Sequence, residues 1–257
     1  MCELLGMSAN VPTDLCFSFK GLRERGGNTG PHKDGWGIAF YQGKGVTTFK
    51  DAMPSYQSEI AALVSHYPIK STSVVGHVRQ ANRGHVALEN THPFTRELWG
   101  RYWTYAHNGQ LTGYEDLPCD RFHPVGTTDS ERAFCFILSE LAKKYPHGPR
   151  SRKQMFSVVK KLSDRLRKLG VFNLLLSDGD FLFCYCSTKL HYITRRAPFS
   201  VARLSDIDVD IDFAKETTPN DVVTVVATMP LTCNEQWQGL LTGQACLFQA
   251  GECIKQW

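Results

Sequence analysis

Three short apolar segments follow one another closely in the C-terminal half of the chain, and they limit its fold more than any other feature. They are VFNLLLS, DFLFCYCS and LHYITRR, and an Asp178-Gly179 turn separates the first two. Asp-Gly between two such segments is typical of a β-hairpin, whose strands run antiparallel. Neighbouring parallel strands would need a long crossover, so a parallel sheet is not expected here.

Further strands and helices are predicted along the chain. The other strand segments are CELLGMSA at 2–9, the hairpin WGIAFYQGKGVTTFK at 36–50 with its turn at 42–45, STSVVGHVR at 71–79, YWTYAH at 102–107 and, as the last strand, DVVTVVAT at 221–228. Helical spacing is found after Pro12-Thr13-Asp14 up to Gly26, over 57–67, from Thr128 to Tyr145 and over 151–169. Thr128 and Glu131 have the spacing of a capping box.

Two consecutive helices in the middle of the chain break the strand–helix alternation of parallel α/β folds. We therefore expect an α+β fold in which two antiparallel sheets carry helices on their outer faces. A length of 257 residues is near the upper limit for one hydrophobic core. We expect a single domain over residues 1–257.

Composition excludes several classes of function. A formal net charge of +4 is too small and too dispersed for a typical nucleic-acid-binding protein. The N-terminus lacks a signal peptide, and no apolar run is long enough to span a membrane. The nine cysteines are scattered without a CxxC pair, which argues against a disulfide framework and against a zinc site. We expect a cytoplasmic protein that binds neither nucleic acid nor membrane.

Cys2 is the first residue with chemical interest. Cysteine is small enough for removal of Met1, which would leave a thiol and a free α-amine on one residue. The amine has a pKa of about 7.7–8.0 and the thiol one of about 8.5, so the amine can accept the thiol proton near neutral pH. A buried cysteine that merely begins a strand is the alternative.

Charged residues at the ends of predicted elements could hold a small zwitterionic substrate. Arg79 ends a predicted strand, and its planar guanidinium can bind a carboxylate through two hydrogen bonds. Asp129 begins a predicted helix and could accept an ammonium group. A structural ion pair and a plain helix cap are the respective alternatives.

The segment Ala106-His107-Asn108-Gly109 ends another predicted strand. The Asn108 side-chain amide and the Gly109 backbone N–H could form an oxyanion hole, although Asn-Gly is also a common turn. His107 could be a general base or a packed structural residue, and we place it among the residues that bind the substrate.

Taken together and in this order, Cys2, RG at 25–26, DGWG at 34–37, HVR at 77–79, AHNG at 106–109 and TDSE at 128–131 resemble the class II glutamine amidotransferases, which are N-terminal-nucleophile (Ntn) hydrolases. The resemblance is close to a small bacterial type of this family and covers the whole chain. It implies a four-layer αββα sandwich of two stacked antiparallel sheets. The segment Gln80-Ala81-Asn82-Arg83-Gly84 departs from the Thr-His-Gly pattern common in the family, which favours a γ-glutamyl group in general over glutamine in particular.

The resemblance also implies roles. Cys2 would be the nucleophile and its α-amine the base, Asn108 and Gly109 the oxyanion hole, Arg79 the clamp for the α-carboxylate, and Asp129 the acceptor for the α-ammonium group. The expected reaction is hydrolysis of the γ-amide of glutamine or a γ-glutamyl compound through a Cys2 thioester. It would release glutamate and ammonia or an amine.

No cofactor is expected, since the chain carries neither a P-loop nor a dinucleotide-binding fingerprint, and 257 residues leave no room for a synthase domain. Three alternatives remain. The chain could pass ammonia to a separate synthase subunit, or it could be a non-catalytic γ-glutamyl-binding regulatory subunit. It could also be an ordinary Cys-His hydrolase with an internal thiol and His77 or His107 as base.

Overall fold

The computed structural model describes residues 2–81 and 85–257. In this part of the chain most strands fall into two antiparallel sheets, and a small third sheet lies to one side. In chain order the strands are β1 (Glu3–Thr13), β2 (Trp36–Gln42), β3 (Gly45–Asp51), β4 (Ser71–Val78), β5 (Phe94–Leu98), β6 (Arg101–Leu111), β7 (Gly170–Ser177), β8 (Phe181–Tyr185), β9 (His191–Arg195), β10 (Val201–Arg203), β11 (Asp210–Asp212), β12 (Val223–Ala227), β13 (Gln238–Gly239), β14 (Ala245–Gln249) and β15 (Glu252–Gln256).

The first sheet has the order β13-β9-β12-β1-β4-β2-β3, and the second has the order β15-β14-β8-β7-β6-β5. Strands β10 and β11 form the small third sheet. The helices are α1 (Cys16–Arg25), α2 (Glu59–His66), α3 (Asp129–Lys144), α4 (Arg152–Arg167) and the short α5 (Phe213–Glu216), and 3₁₀ turns occur at Leu88–Asn90 and Tyr114–Asp116. In the described ranges, no helix is both long and apolar enough to cross a membrane.

Three apolar clusters bind these elements into four layers. One cluster joins α1 and α2 to the first sheet, and it includes Phe19, Leu22 and Val64. A second joins α3 and α4 to the second sheet. The third lies between the two sheets and includes Leu4 and Leu175. The predicted αββα sandwich is confirmed.

Strand β1 shows how the sequence builds these layers. Leu4 contributes to the cluster between the sheets, whereas Leu5 and Met7 contribute to the cluster under α1 and α2. A side chain on Gly6 would meet Leu175 and Leu182 of the second sheet at 3.2 and 3.1 Å, so glycine lets the sheets approach closely at this point. The alternation of β-strand side chains therefore buries both faces of this central strand.

Several predicted boundaries are wrong, each for a local reason. Helix α1 begins at Cys16 and not directly after Asp14, because β1 continues to Thr13, which still pairs with Ser71. Glu131 does not complete a capping box. The Thr128 hydroxyl does accept the N–H of Glu131, but the Glu131 carboxylate accepts N–H groups of the preceding loop and pairs with Arg96.

The segment 221–228 is not the last strand. Strands β13, β14 and β15 follow it, and β14 joins the edge of the second sheet beside β8. The turn between β14 and β15 has positive φ at Ala250 (49°) and Gly251 (78°). Two successive positive φ values are typical of a tight hairpin turn, but alanine at the first position hides that signal in the sequence.

Candidate active site

Cys2 lies immediately before the central strand β1, half-buried in the structure. Its Sγ accepts the backbone N–H of Gln80 at 3.4 Å and lies 3.5 Å from the Gln80 carbonyl oxygen. Burial raises the pKa of the Cys2 thiol, and the hydrogen bond from Gln80 opposes this only in part. The thiol is therefore protonated near neutral pH and needs a base before it can attack.

Arg79 is beside Cys2 because of the sheet register. Strand β4 runs antiparallel to β1 with Val78 opposite Glu3, so the next residue reaches the level of Cys2. Arg79 is buried, and its Nη1 donates to the carbonyl oxygens of Asp34 (3.4 Å) and His85 (3.1 Å). These contacts fix the direction of the guanidinium.

The DGWG segment contributes to the same corner. The Asp34 carboxylate accepts the N–H of Ala81 at 2.7 Å, and the backbones of Asp34 and Gly35 exchange hydrogen bonds with Arg79. The loop therefore holds the chain that follows Arg79 against Cys2. The predicted departure at Asn82, Arg83 and Gly84 lies outside the described residues.

Asn108 and Gly109 come from the second sheet, and they do not form the turn that was the alternative reading of this dipeptide. Strand β6 continues to Leu111, with Asn108 opposite Asn173 and Gly109 opposite Phe172. A side chain on Gly109 would lie 1.8 Å from the Val171 carbonyl oxygen, so only glycine permits this close strand approach. The Asn108 side chain is buried, and its Nδ2 donates to the Thr228 hydroxyl at 3.3 Å.

His107 is on β6, the strand that carries Asn108 and Gly109, and Asp129 lies beside the end of that strand. Asp129 begins α3, and its Oδ2 accepts the N–H of Leu111 at 2.7 Å. Both ring nitrogens of His107 have partners, the Ser130 hydroxyl at 2.8 Å and the Val171 carbonyl at 3.1 Å. Burial lowers the pKa of His107, so its ring is neutral and donates from Nε2 to the carbonyl. For His107 to act as an acid or a base, one of these two hydrogen bonds would have to break.

A single pocket joins most of the predicted site residues. It is lined by Cys2, Arg79, Gln80, Ala81, His92, His107, Gly109, Gln110, Thr128, Asp129 and Ser130. Asn108 is not among the residues that line this pocket, and its amide donates to Thr228. Opposite charges at Arg79 and Asp129 therefore share one small cavity with the Cys2 thiol.

Two residues near Cys2 were not predicted as functional. Thr228 follows β12 and bonds both Leu4 and Asn108. Arg25, noted only as part of a motif, is buried and donates to Glu3 and Asp206, each at 2.9 Å. It also bonds the carbonyls of residues 229 and 230. No sequence pattern identifies these contacts, because all but the Arg25–Glu3 pair join residues 120 or more positions apart.

Comparison with known proteins identifies the family to which the chain belongs. A family model described as class II glutamine amidotransferases matches residues 1–257. The chain is 67% identical over 254 residues to YafJ of Escherichia coli (strain K12), provisionally named a glutamine amidotransferase, covering 99% of this chain and all of that protein. It is 43% identical over 256 residues to a protein with the same provisional name from Haemophilus influenzae, covering 100% of this chain and 87% of that protein.

Solved structures agree. The crystal structure of a predicted glutamine amidotransferase from Pseudomonas aeruginosa PA01 matches 99% of this chain and 100% of its own, with 52% identity and a TM-score of 0.80. Glutamine phosphoribosylpyrophosphate amidotransferase from B. subtilis has 17% identity and a TM-score of 0.64, covering 99% of this chain and 48% of its own, and shows likeness of fold. The chain belongs to the class II glutamine amidotransferases.

Proposed function

We propose that this protein hydrolyses the γ-amide of glutamine or of a γ-glutamyl compound, with Cys2 as nucleophile after removal of Met1. We also propose that residues 1–257 act as one glutamine amidotransferase domain. The observation that supports this function most directly is the shared pocket, in which the Cys2 thiol lies with Arg79 and Asp129. A γ-glutamyl group carries a carboxylate and an ammonium group at one end and the amide at the other, which matches that arrangement.

Binding would use both fixed charges. The Arg79 guanidinium would hold the α-carboxylate, for which a bidentate fork is well suited. Asp129 would accept the α-ammonium group through lone pairs left over from its bond to Leu111, since a carboxylate has about four acceptor sites. His107, held at both nitrogens, would form part of the wall. No metal or organic cofactor is needed for these steps.

The chemistry then follows in two halves. The free α-amine of Cys2 takes the thiol proton, and Sγ attacks the γ-carbonyl carbon. The negative oxygen of the tetrahedral intermediate would be stabilised by the Gly109 N–H and the Asn108 amide. The C–N bond breaks as the protonated amine returns its proton to the leaving nitrogen, which departs as ammonia or an amine. Water next attacks the thioester carbonyl as the α-amine takes a proton from it. The C–S bond then breaks, glutamate is released, and the amine returns the proton to Sγ to regenerate the thiol.

The alternative of a Cys-His hydrolase has little support in this geometry. Burial lowers the pKa of His77 to about 3, with further lowering by the charge of Arg79, so His77 is a poor base at neutral pH. Both nitrogens of His107 are engaged. We therefore assign the role of base to the α-amine of Cys2 that removal of Met1 would free.

Turnover by the mature protein tests the proposal. Purified protein, with its mass showing that Met1 is absent, would be incubated with glutamine and a series of γ-glutamyl amides, and glutamate and ammonia would be measured separately. We expect glutamate release that Cys2→Ala abolishes and that Cys233→Ala, at an exposed cysteine, leaves unchanged. Retention of Met1 in the native host, or full activity of Cys2→Ala, would instead favour the regulatory subunit or an internal thiol. Release of glutamate from the γ-glutamyl amides but not from glutamine would show that the leaving group is an amine and not ammonia.

A further inference from the structure

Thr228 connects the two halves of the proposed site. It lies one residue beyond β12 and is buried. Its hydroxyl oxygen accepts the backbone N–H of Leu4 at 2.9 Å and the side-chain Nδ2–H of Asn108 at 3.3 Å. Leu4 is two residues after Cys2 on the first sheet, whereas Asn108 belongs to the second sheet.

The chain around Thr228 continues the pairing of β12 with β1, on the edge of β1 opposite to β4. Ala227 is opposite Leu5, and the N–H of Thr228 donates to the Leu4 carbonyl at 3.3 Å, so the antiparallel register continues toward Cys2. Arg25 then bonds the carbonyls of residues 229 and 230 as well as the Glu3 carboxylate. The start of β1 is thus held on one side by Gln80 and on the other by this segment.

The side-chain amide of Asn108 has two N–H hydrogens, of which one is donated to Thr228 and the other could be donated to a ligand. An amide nitrogen carries two hydrogens, and the Thr228 hydroxyl takes one of them. The Asn108 Oδ1 atom is buried and forms no hydrogen bond with the residues that the structure describes. Rotation about χ2 of asparagine has two broad minima, so loss of the Thr228 acceptor would let Oδ1 and Nδ2 exchange places. An oxygen directed at a developing oxyanion would destabilise it.

We propose that Thr228 is a positioning residue for the reaction, because its hydroxyl fixes the Asn108 amide in the orientation that donates to the oxyanion and ties that amide to the strand carrying Cys2. This inference rests on the proposed function. It adds a residue whose hydroxyl does not contact the substrate and acts through Asn108.

The test compares Thr228→Val, Thr228→Ser and Thr224→Val. Thr224 is a matched control, since it is also buried and hydrogen-bonded on β12 but bonds Thr194 and the Gly251 carbonyl. We expect Thr228→Val to lower kcat by about 10- to 100-fold with KM within about threefold, because a lost oxyanion-hole donor costs about 10²–10³ in rate and a disordered one costs less. Thr228→Ser should recover most of the rate, and Thr224→Val should retain it.

A double-mutant cycle separates positioning from general damage. In an Asn108→Ala background, Thr228→Val should cause less than about a twofold further loss of kcat, because residues that act as a unit are not additive. The rate at which iodoacetamide alkylates Cys2 should be unchanged in Thr228→Val. The inference would be overturned if the two substitutions lowered kcat independently, so that their separate effects multiplied in the double variant. It would also be overturned if a folded Thr228→Val protein kept the kcat of the wild type. Absence of turnover in the wild type would instead refute the proposed function.

Discussion

A histidine buried between the two sheets should make this protein sensitive to acid. His77 is fully buried on β4 and packs against His92, with ring centroids 4.2 Å apart and ring planes tilted by 36°. Neither ring nitrogen forms a hydrogen bond of ordinary geometry within the described ranges, although the His107 carbonyl lies near enough to raise the pKa slightly. Burial dominates and lowers the pKa of His77 to about 3.

The sign and size of the effect follow from linkage. An unfolded histidine has a pKa of about 6.5, so between that pH and about 3 the unfolded chain binds a proton that the folded chain does not. Stability contributed by neutral His77 is therefore present above pH 6.5 and is lost as the pH falls. Between pH 7.5 and 5 the loss is about 2 kcal/mol for this one group. The charge of Arg79 also opposes its protonation.

His77→Phe should remove this pH-dependent loss of stability while keeping an aromatic ring packed against His92. The free energy of unfolding would be measured by urea denaturation at pH 7.5 and pH 5 for the wild type, His77→Phe and the exposed control His147→Gln. Relative to the wild type, His77→Phe should gain about 2 kcal/mol on going to pH 5, whatever its stability at pH 7.5. Equal pH dependence in the wild type and His77→Phe would refute the argument that His77 is held neutral by burial.

Three further substitutions test other contacts. Gly109→Ala places a carbon 1.8 Å from the Val171 carbonyl oxygen, so β6 and β7 must separate; we expect a lower thermal midpoint and loss of turnover, and an unchanged midpoint would contradict the close approach. Arg79→Lys replaces a fork by a point charge, so KM should rise at least about tenfold while the fold remains, as circular dichroism and kinetics would show. Arg25→Met leaves Glu3 and Asp206 without their buried partner, and urea denaturation should show a loss of about 3–5 kcal/mol; a loss below about 1 kcal/mol would mean that these pairs are solvated.

The sequence was informative where one local pattern determines one element. Short apolar segments and turn signals predicted the sheets, and the order of short motifs predicted the family. Asn108-Gly109 shows the limit, because the same dipeptide serves as a turn or as the interior of a strand. Only pairing with Phe172 on β7, which lies far along the chain, decides between them.

Thr228 and Arg25 show a second limit. Their partners Leu4 and Asp206 lie more than 100 residues away. Thr228 stands in no motif that the sequence marks, and the Arg25-Gly26 motif does not indicate which residues Arg25 contacts. Their positions depend on the order of strands in the first sheet, which places β12 next to β1. Local propensity contains no information about that order.

The central claim is that Cys2 supplies both the nucleophile, its thiol, and the base, its α-amine, in a pocket that binds a glutamate-like ligand. The most direct measurement is peptide mapping of the mature protein after treatment with a glutamine-like diazo ketone, with and without excess glutamine. We predict one alkylated peptide, the N-terminal one carrying Cys2, with labelling suppressed by glutamine. Labelling of Cys135 or Cys184 in its place, or labelling that glutamine does not suppress, would contradict the account.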